Sequence, residues 1–396
     1  VHLADQLVAL GGAFLVAALL ARAGHRIDLP TIPLFILAGI LLGPNTPGIV
    51  LFDNPSDLKL LATLGLIFLL FYLGLEFSIK RLVDGGRPLA GAGAAYVLIN
   101  IIGGAIFGFA LGWGTSEALV LAGVLGISSS AIATKVLVER KRMGYRDTTV
   151  ILGIIVMDDL FLALYLAVVT PIISGGTASE ILRDVLVGFV FLAVLASIAR
   201  WGATLITKLL STDSDELLIV GVVGLTVLIA GIAEELGVTD AIGAFMAGLI
   251  VGQTLLRERV EVKIRPLRDL FGALFFFHFG LLLVPSEVVA LAPLVLVAVL
   301  LTMLLNWSAG ILAARMNQLG RLEAARISLT VLGRGEFALI LVTIAATAGL
   351  DPRIAAFTAG YVFVLAITAP LLASRAKHLL AFFPARLLPA ERAASA

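Results

Sequence analysis

The sequence predicts an all-α membrane protein of thirteen transmembrane helices, arranged as two inverted-topology repeats joined by a linking span. Three observations predict it. The 396 residues are 60% hydrophobic and only 14% charged, with a mean hydropathy of +1.10, whereas a soluble domain carries about 25% charged residues. The apolar residues fall into many runs of about 18 or more, the length that crosses a bilayer. Basic residues collect on alternate loops. Together these exclude a soluble enzyme, a DNA-binding module and a disordered scaffold, and a net charge of +1 supplies no field for nucleic acid. With no Cys, disulfides and thiolate metal sites are also excluded, and the scatter of the four His argues against a histidine metal cluster.

The expected spans run roughly over 6–23, 29–43, 58–76, 88–111, 116–138, 148–170, 181–209, 215–235, 238–254, 267–284, 287–314, 322–348 and 352–374. Most connecting loops are short, so the chain reads as one domain over 1–396 without an inserted soluble domain, followed by a cytoplasmic tail at 375–396. The charge pattern checks this reading. When the loops are assigned alternately to two sides, one side holds only Lys59, Arg183 and Arg353, and Arg334 lies within a span. All the rest, 24 of the 28 Lys and Arg, fall on the other side, among them Arg140, Lys141, Arg142 and Arg146. A missed or extra helix would scramble this bias. The positive-inside rule then places the N-terminus outside and the C-terminus in the cytoplasm of a plasma (inner) membrane.

An internal repeat gives the topology. Ala38-Gly39-Ile40-Leu41-Leu42-Gly43 in span two returns as Ala247-Gly248-Leu249-Ile250-Val251-Gly252 in span nine. Gly65 and Phe71-Tyr72-Leu73-Gly74-Leu75 in span three return as Gly272 and Phe277-His278-Phe279-Gly280-Leu281 in span ten. Spans one to six therefore match eight to thirteen. Equivalent helices stand seven spans apart, an odd number, so the second copy is inverted. Inverted repeats mark secondary transporters, whose site lies at the midplane between the halves.

Three spans carry polar groups at that depth. Span five has Ser128-Ser129-Ser130 and then Thr134, span six has Asp158-Asp159, and span twelve has Gly333-Arg334-Gly335-Glu336. The glycines ease unwinding of span twelve, and the serines can bond freed backbone in span five. Broken helices crossing here would offer carbonyls and helix ends to an ion. A carboxylate at the helix centre costs about 2.5–3.5 kcal/mol, and neighbouring helical residues point about 100° apart. The two aspartates therefore take different roles, one facing the ion path and one turned to a partner such as Arg334. Glu336 reads chiefly as a second partner for Arg334. A proton and a hard monovalent cation competing for one carboxylate couples the two fluxes, with Ser128 and Ser129 adding oxygen ligands. His278 reads as a packing residue in an aromatic run, with pH sensing as its alternative. No cofactor is expected beyond the transported ions. A channel would need a carbonyl filter such as Thr-Val-Gly-Tyr-Gly, which is absent. An aspartyl protease needs two carboxyls about 3 Å apart, which adjacent helical residues do not provide.

At these residues the chain resembles the monovalent cation:proton antiporter superfamily, in its Kef-type branch. Phe68-Leu69-Leu70-Phe71-Tyr72-Leu73-Gly74-Leu75-Glu76-Phe77-Ser78 resembles the third-span motif. Ser128 to Leu137 resembles the span-five crossover, Ile151 to Asp159 the ion-binding helix, and Gly333 to Ala338 the span-twelve crossover. The resemblance implies potassium:proton exchange on Asp159, with sodium as the alternative cation, and a position at Asp158 that varies among relatives. It further implies a homodimer among membrane lipids. The dimerising scaffold would come from spans at about 6–76 and 181–284, and a mobile ion-binding core from about 88–170 and 287–374. It also implies a separate soluble cytoplasmic regulatory subunit. Exchangers with an Asp-Asp pair and unequal charge stoichiometry keep a lysine in span ten. This chain has none in the core of that span, which argues for electroneutral exchange.

Overall fold

A computed structural model describes residues 3–26, 31–48, 50–76, 86–140, 142 and 145–388. The described residues form seventeen α-helices, short 3-10 turns and no strand. In chain order they are α1 Leu3–His25, α2 Thr31–Leu42, α3 Lys59–Glu76, α4 Gly86–Leu111, α5 Thr115–Gly126, α6 Ser130–Glu139, α7 Arg146–Ser174, α8 Ala178–Trp201 and α9 Ala203–Leu210. There follow α10 Asp215–Glu235, α11 Asp240–Gly252, α12 Arg257–Leu282, α13 Pro285–Ala290, α14 Ala292–Met316, α15 Arg321–Thr330, α16 Glu336–Thr347 and α17 Arg353–Ser374.

Every expected span falls on helix, but the helices are not thirteen continuous rods. Among the described residues eight helices are long and apolar enough to cross a bilayer, at Gln6–His25, Pro55–Glu76, Gly86–Leu111, Arg146–Ser174, Ala178–Trp201, Asp215–Glu235, Ala292–Met316 and Arg353–Ser374. The second and ninth expected spans are the short helices α2 and α11. The fifth is broken into α5 and α6, and the twelfth into α15 and α16. The tenth is the C-terminal part of α12, whose first half is strongly charged.

Local chemistry sets many of the helix starts. Thr177 and Glu180 form a reciprocal capping box at the head of α8. Ser214 and Thr239 accept from Leu217 and Ile242 to cap α10 and α11.

The chain divides into two compact units. One gathers α1, most of α2, α3, the end of α7 from Ala163, and α8–α12. The other gathers α4–α6, the first part of α7 to Leu162, and α13 onward. The boundary therefore falls inside the helix over 148–170 that the sequence assigns entirely to the ion-binding part.

In the first unit, α3 packs on α11 and α12, and glycine brings the backbones together. A Cβ on Gly39 would stand 2.9 Å from the Gly280 Cα, and one on Gly280 would stand 3.0 Å from the Gly39 Cα. A Cβ on Gly74 would lie 2.8 Å from the Leu249 nitrogen, and one on Gly248 2.9 Å from the Leu75 nitrogen. Thus α2 meets α12 as α11 meets α3, each pair joined at the same two repeated glycines.

In the second unit, α4 packs on α5 and on α14, α14 on α15 and α17, and α16 on α5 and α17. The segment after α17 is no loose tail. Arg321 Nε and Nη2 each donate at 2.8 Å to the carbonyls of Phe383 and Leu380, and Trp307 Nε1 donates to Phe382 O at 2.8 Å. Phe383 and Leu388 are buried in the same core as Ile327 and Val331. Residues 389–396 of the expected tail lie outside the described part.

Candidate ion site at the crossing of two broken helices

The site lies wholly within the second unit. Helix α5 stops at Gly126, Ile127 is extended, and α6 restarts at Ser130. Helix α15 stops at Thr330 and α16 restarts at Glu336. The two breaks touch through the Ser129 N–H, which donates to Gly333 O at 2.8 Å. Small residues permit the approach: a Cβ on Gly335 would lie 2.7 Å from Ser129 Oγ, and one on Gly333 2.8 Å from Ile132 Cγ2. Ser129 Oγ in turn accepts from the Ile132 N–H at 3.3 Å and secures the start of α6. Each break leaves carbonyls at one half-helix end and N–H groups at the next without a partner in their own helix.

Arg334, fully buried, takes up the carbonyls. Its Nε and Nη2 donate to Leu125 O, at the end of α5, at 3.0 and 2.7 Å. Nη1 donates to Val331 O, Leu332 O and Gly333 O, just past α15, at 3.1, 3.2 and 3.3 Å. A helix C-terminus carries about half a negative charge, so two such ends together balance one guanidinium. The sequence expectation of a carboxylate partner is not met by Asp158, the first of its two candidates. Among the described residues Arg334 forms no ion pair, and Asp158 acts on it only through its field. The Glu336 side chain, the other expected partner, lies outside the described part.

Asp158 meets the opposite kind of helix end. Its Oδ2 accepts from the Ser128 N–H at 3.0 Å and from Ser128 Oγ at 2.5 Å, just before α6. Both residues are 1% exposed, so the pair is sealed from solvent. Asp159 is 5% exposed and stands near the middle of the 29-residue helix α7, turned about 100° from Asp158 by the helical repeat. The structure therefore brings together Ser128, Ser129, Asp158, Gly333 and Arg334 around the crossing. It leaves Thr134 exposed on α6. His278 belongs to the other unit, partly buried on α12. No group of three His, Cys, Asp or Glu able to hold a metal occurs among the described residues.

A buried polar layer behind Arg334 went unread in the sequence. Tyr96 Oη donates to Val331 O at 3.0 Å and accepts from Arg334 Nη1 at 3.4 Å. Asn100 Oδ1 accepts from Arg334 Nη2 at 3.2 Å and from Asn306 Nδ2 at 3.2 Å. Thr302 and Tyr361 share a hydroxyl contact of 2.6 Å. The signal that could have found the asparagines is their separation of 206, close to the offset of the repeated glycine motifs.

Comparison with known proteins agrees with this geometry. Residues 13–374 match the family described as sodium/hydrogen exchanger, transmembrane. The chain is 38% identical to the K(+)/H(+) antiporter subunit KhtU of Bacillus subtilis over 95% of both chains. It is 27% identical to the ammonium/H(+) antiporter subunit AmhT of Alkalihalophilus pseudofirmus, over 86% of this chain and 87% of that one. Its fold is similar to that of the sodium proton antiporter MjNhaP1 of Methanocaldococcus jannaschii, with a TM-score of 0.71 and 16% identity over 96% of this chain and 99% of that one. A transmembrane chain with broken helices crossing beside a buried aspartate pair, matched over nearly its whole length, belongs to the sodium/hydrogen exchanger family of cation/proton antiporters, in its Kef-type potassium:proton branch.

Proposed function

We propose that this chain exchanges potassium for protons by alternating access, with both ions competing for Asp159 and with Ser128, Ser129 and opened backbone as further oxygen ligands. The observation that carries the reading is the commitment of Asp158. Its Oδ2 already takes two hydrogen bonds from Ser128, so Asp158 serves as the fixed counter-charge at the start of α6. Asp159, one step round the helix and turned about 100° from it, is the carboxylate assigned to the exchanged ions. One exchangeable carboxylate makes the cycle electroneutral. Potassium is favoured by the 38% identity to a K(+)/H(+) antiporter subunit. Sodium remains the second reading because the family is described by sodium/hydrogen exchange, and it keeps the same carboxylate. No cofactor enters the cycle.

The remaining architecture follows from the same reading. The exchange of the α2–α12 and α3–α11 glycine contacts under the repeat supports two inverted halves and thirteen spans. The division into two units supports a scaffold of α1–α3 and α8–α12, through which two copies pair, and a mobile core that holds the crossing. The loop charges support an outside N-terminus and a cytoplasmic C-terminus in the plasma membrane. Both KhtU and AmhT are described as subunits, which supports a separate soluble regulatory partner on the cytoplasmic side.

The test is dequenching of a pH dye in proteoliposomes, titrated with potassium, sodium and ammonium. Wild type should release the proton gradient with potassium at the lowest concentration, and Asp159→Asn should not release it with any cation. Exchange at the wild-type rate in Asp159→Asn would refute the site, and a preference for sodium would move the reading to the second cation. Imposed voltage should change neither the rate nor the final gradient.

A further inference from the structure

Two asparagines in the second unit are as deeply buried as Arg334, and neither belongs to the ion site itself. Asn100 on α4 is fully buried and Asn306 on α14 is 1% exposed. Each bonds back to its own helix: Asn100 Nδ2 donates to Tyr96 O at 3.0 Å, and Asn306 Nδ2 to Thr302 O at 2.9 Å. These bonds fix how the amides face. With Nδ2 tied to the helix, Asn100 Oδ1 must point away from it, toward Asn306 Nδ2 and Arg334 Nη2, both at 3.2 Å. Turned over, the Asn100 amide would set its donors against two donors, so only one orientation lets Asn100 accept from both. Of the contacts Arg334 makes, the carbonyls of Leu125, Val331, Leu332 and Gly333 belong to the breaks themselves, which any opening or closing would disturb. Asn100 and Tyr96 hold the guanidinium from an unbroken helix.

We propose that Asn100, oriented by Asn306, is a positioning residue that pins Arg334 to the two carbonyl-bearing helix ends and so keeps its positive charge away from the cation site. The inference rests on the proposed role of Asp159. The groups around the guanidinium explain what a loose Arg334 would do. Tyr96 on α4 and Tyr361 on α17 are neutral hydroxyls, and Asp158 on α7 attracts it. Released from Asn100, the guanidinium relaxes toward Asp158 and brings positive charge beside Asp159. A cation then binds more weakly while the conformational cycle is untouched. Asn306 acts one step further back, through the orientation of Asn100, so its loss has the smaller effect. The separation of 206 between the two residues places them at matching points of the two repeats, where the halves of this unit meet.

The experiment measures potassium-driven proton exchange in proteoliposomes, with sodium as the driving ion if wild type prefers it, and separates KM for the cation from the maximal rate. Asn100→Leu keeps the branched outline and the number of side-chain heavy atoms, with bulkier methyl groups, and removes the acceptor. Its KM should rise about fivefold, less than the full value of a hydrogen bond from a charged donor because Tyr96 and the carbonyls still hold the guanidinium, with the maximal rate per folded protein unchanged. Asn306→Leu should raise KM about twofold, since it removes one of the bonds that orient Asn100. In an Arg334→Lys background, which lacks Nη2, Asn100→Leu should add nothing further to KM. A folded Asn100→Leu with wild-type KM overturns the proposal, as does an equal rise of KM in the Arg334→Lys background. If Asn100→Leu does not fold, Asn306→Leu decides alone, and an unchanged KM there overturns it. Exchange that persists in Asp159→Asn would instead overturn the site on which the proposal rests.

Discussion

The Ser128–Asp158 contact makes the most quantitative demand on the structure. Ser128→Ala removes the Oγ donor at 2.5 Å and leaves the backbone N–H at 3.0 Å on the same Oδ2. Both side chains are 1% exposed, so water does not replace the lost bond. A hydrogen bond to a charged group contributes about 1.5–3 kcal/mol, and the missing oxygen leaves too little space to add a large cavity cost. Unfolding free energy of the detergent-solubilised protein should therefore fall by about 1.5–3 kcal/mol. A double-mutant cycle isolates the interaction. Asp158→Asn keeps an acceptor but removes the charge that strengthens the bond, so Ser128→Ala should cost about half as much in that background. Asp159→Asn, turned away on the same helix, should be additive with Ser128→Ala. The native fluorescence of Trp113 and Trp307, both in this unit, reports the transition. A coupling between Ser128 and Asp158 within about 0.5 kcal/mol of zero would refute the reasoning, because independent sites add to within that margin. Asp158 would then have no committed role, and its separation from Asp159 would lose its physical basis.

Three further outcomes follow. Arg334→Ala takes the guanidinium from the carbonyls of Leu125 and Leu332, while Val331 O keeps Tyr96 Oη and Gly333 O keeps the Ser129 N–H; at about 1–3 kcal/mol for each of the two orphaned groups, it should melt well below wild type in a thermal scan as well as lose exchange. Gly248→Ala drives a methyl toward the Leu75 nitrogen, whereas a Cβ on Gly224 meets nothing within 4 Å. The first should therefore lose about 1–3 kcal/mol on denaturation, and Gly224→Ala, in mid-helix, should be neutral or gain up to about 1 kcal/mol. Because the chain has no Cys, Arg140→Cys and Arg183→Cys each give a single label site. An impermeant thiol reagent added outside intact cells should reach the second and spare the first, and labelling of Arg140→Cys from outside would reverse the orientation.

Much of the architecture was legible because apolar length and loop charge are properties of composition along the chain. The expected spans all fall on helix, and the breaks near Ser128 and Gly333 were readable as serine and glycine runs at mid-span. Continuity was not readable. A hydropathy window counts apolar side chains, whereas the length of a helix depends on backbone hydrogen bonds that both breaks surrender. That is why the fifth and twelfth expected spans are not among the eight helices that, among the described residues, are long and apolar enough to cross a bilayer.

The sequence by itself determined the membrane class, the loop asymmetry, the repeated glycine motifs and the placing of Asp158, Asp159 and Arg334 at mid-span. The tertiary structure alone decided what those charges meet. A buried arginine in the sequence suggests a carboxylate, since only side chains are written there. Its acceptors here are chiefly the carbonyls of Leu125, Val331, Leu332 and Gly333, which every residue carries and no sequence pattern marks. Likewise, Asp158 and Asp159 are equivalent letters until the crossing presents Ser128 to one of them. The tail after the last span reads only as a cytoplasmic extension until Arg321 and Trp307 bind its carbonyls. In each case backbone groups are among the deciding partners, exposed by a break or a turn and brought close only when helices far apart in sequence pack together.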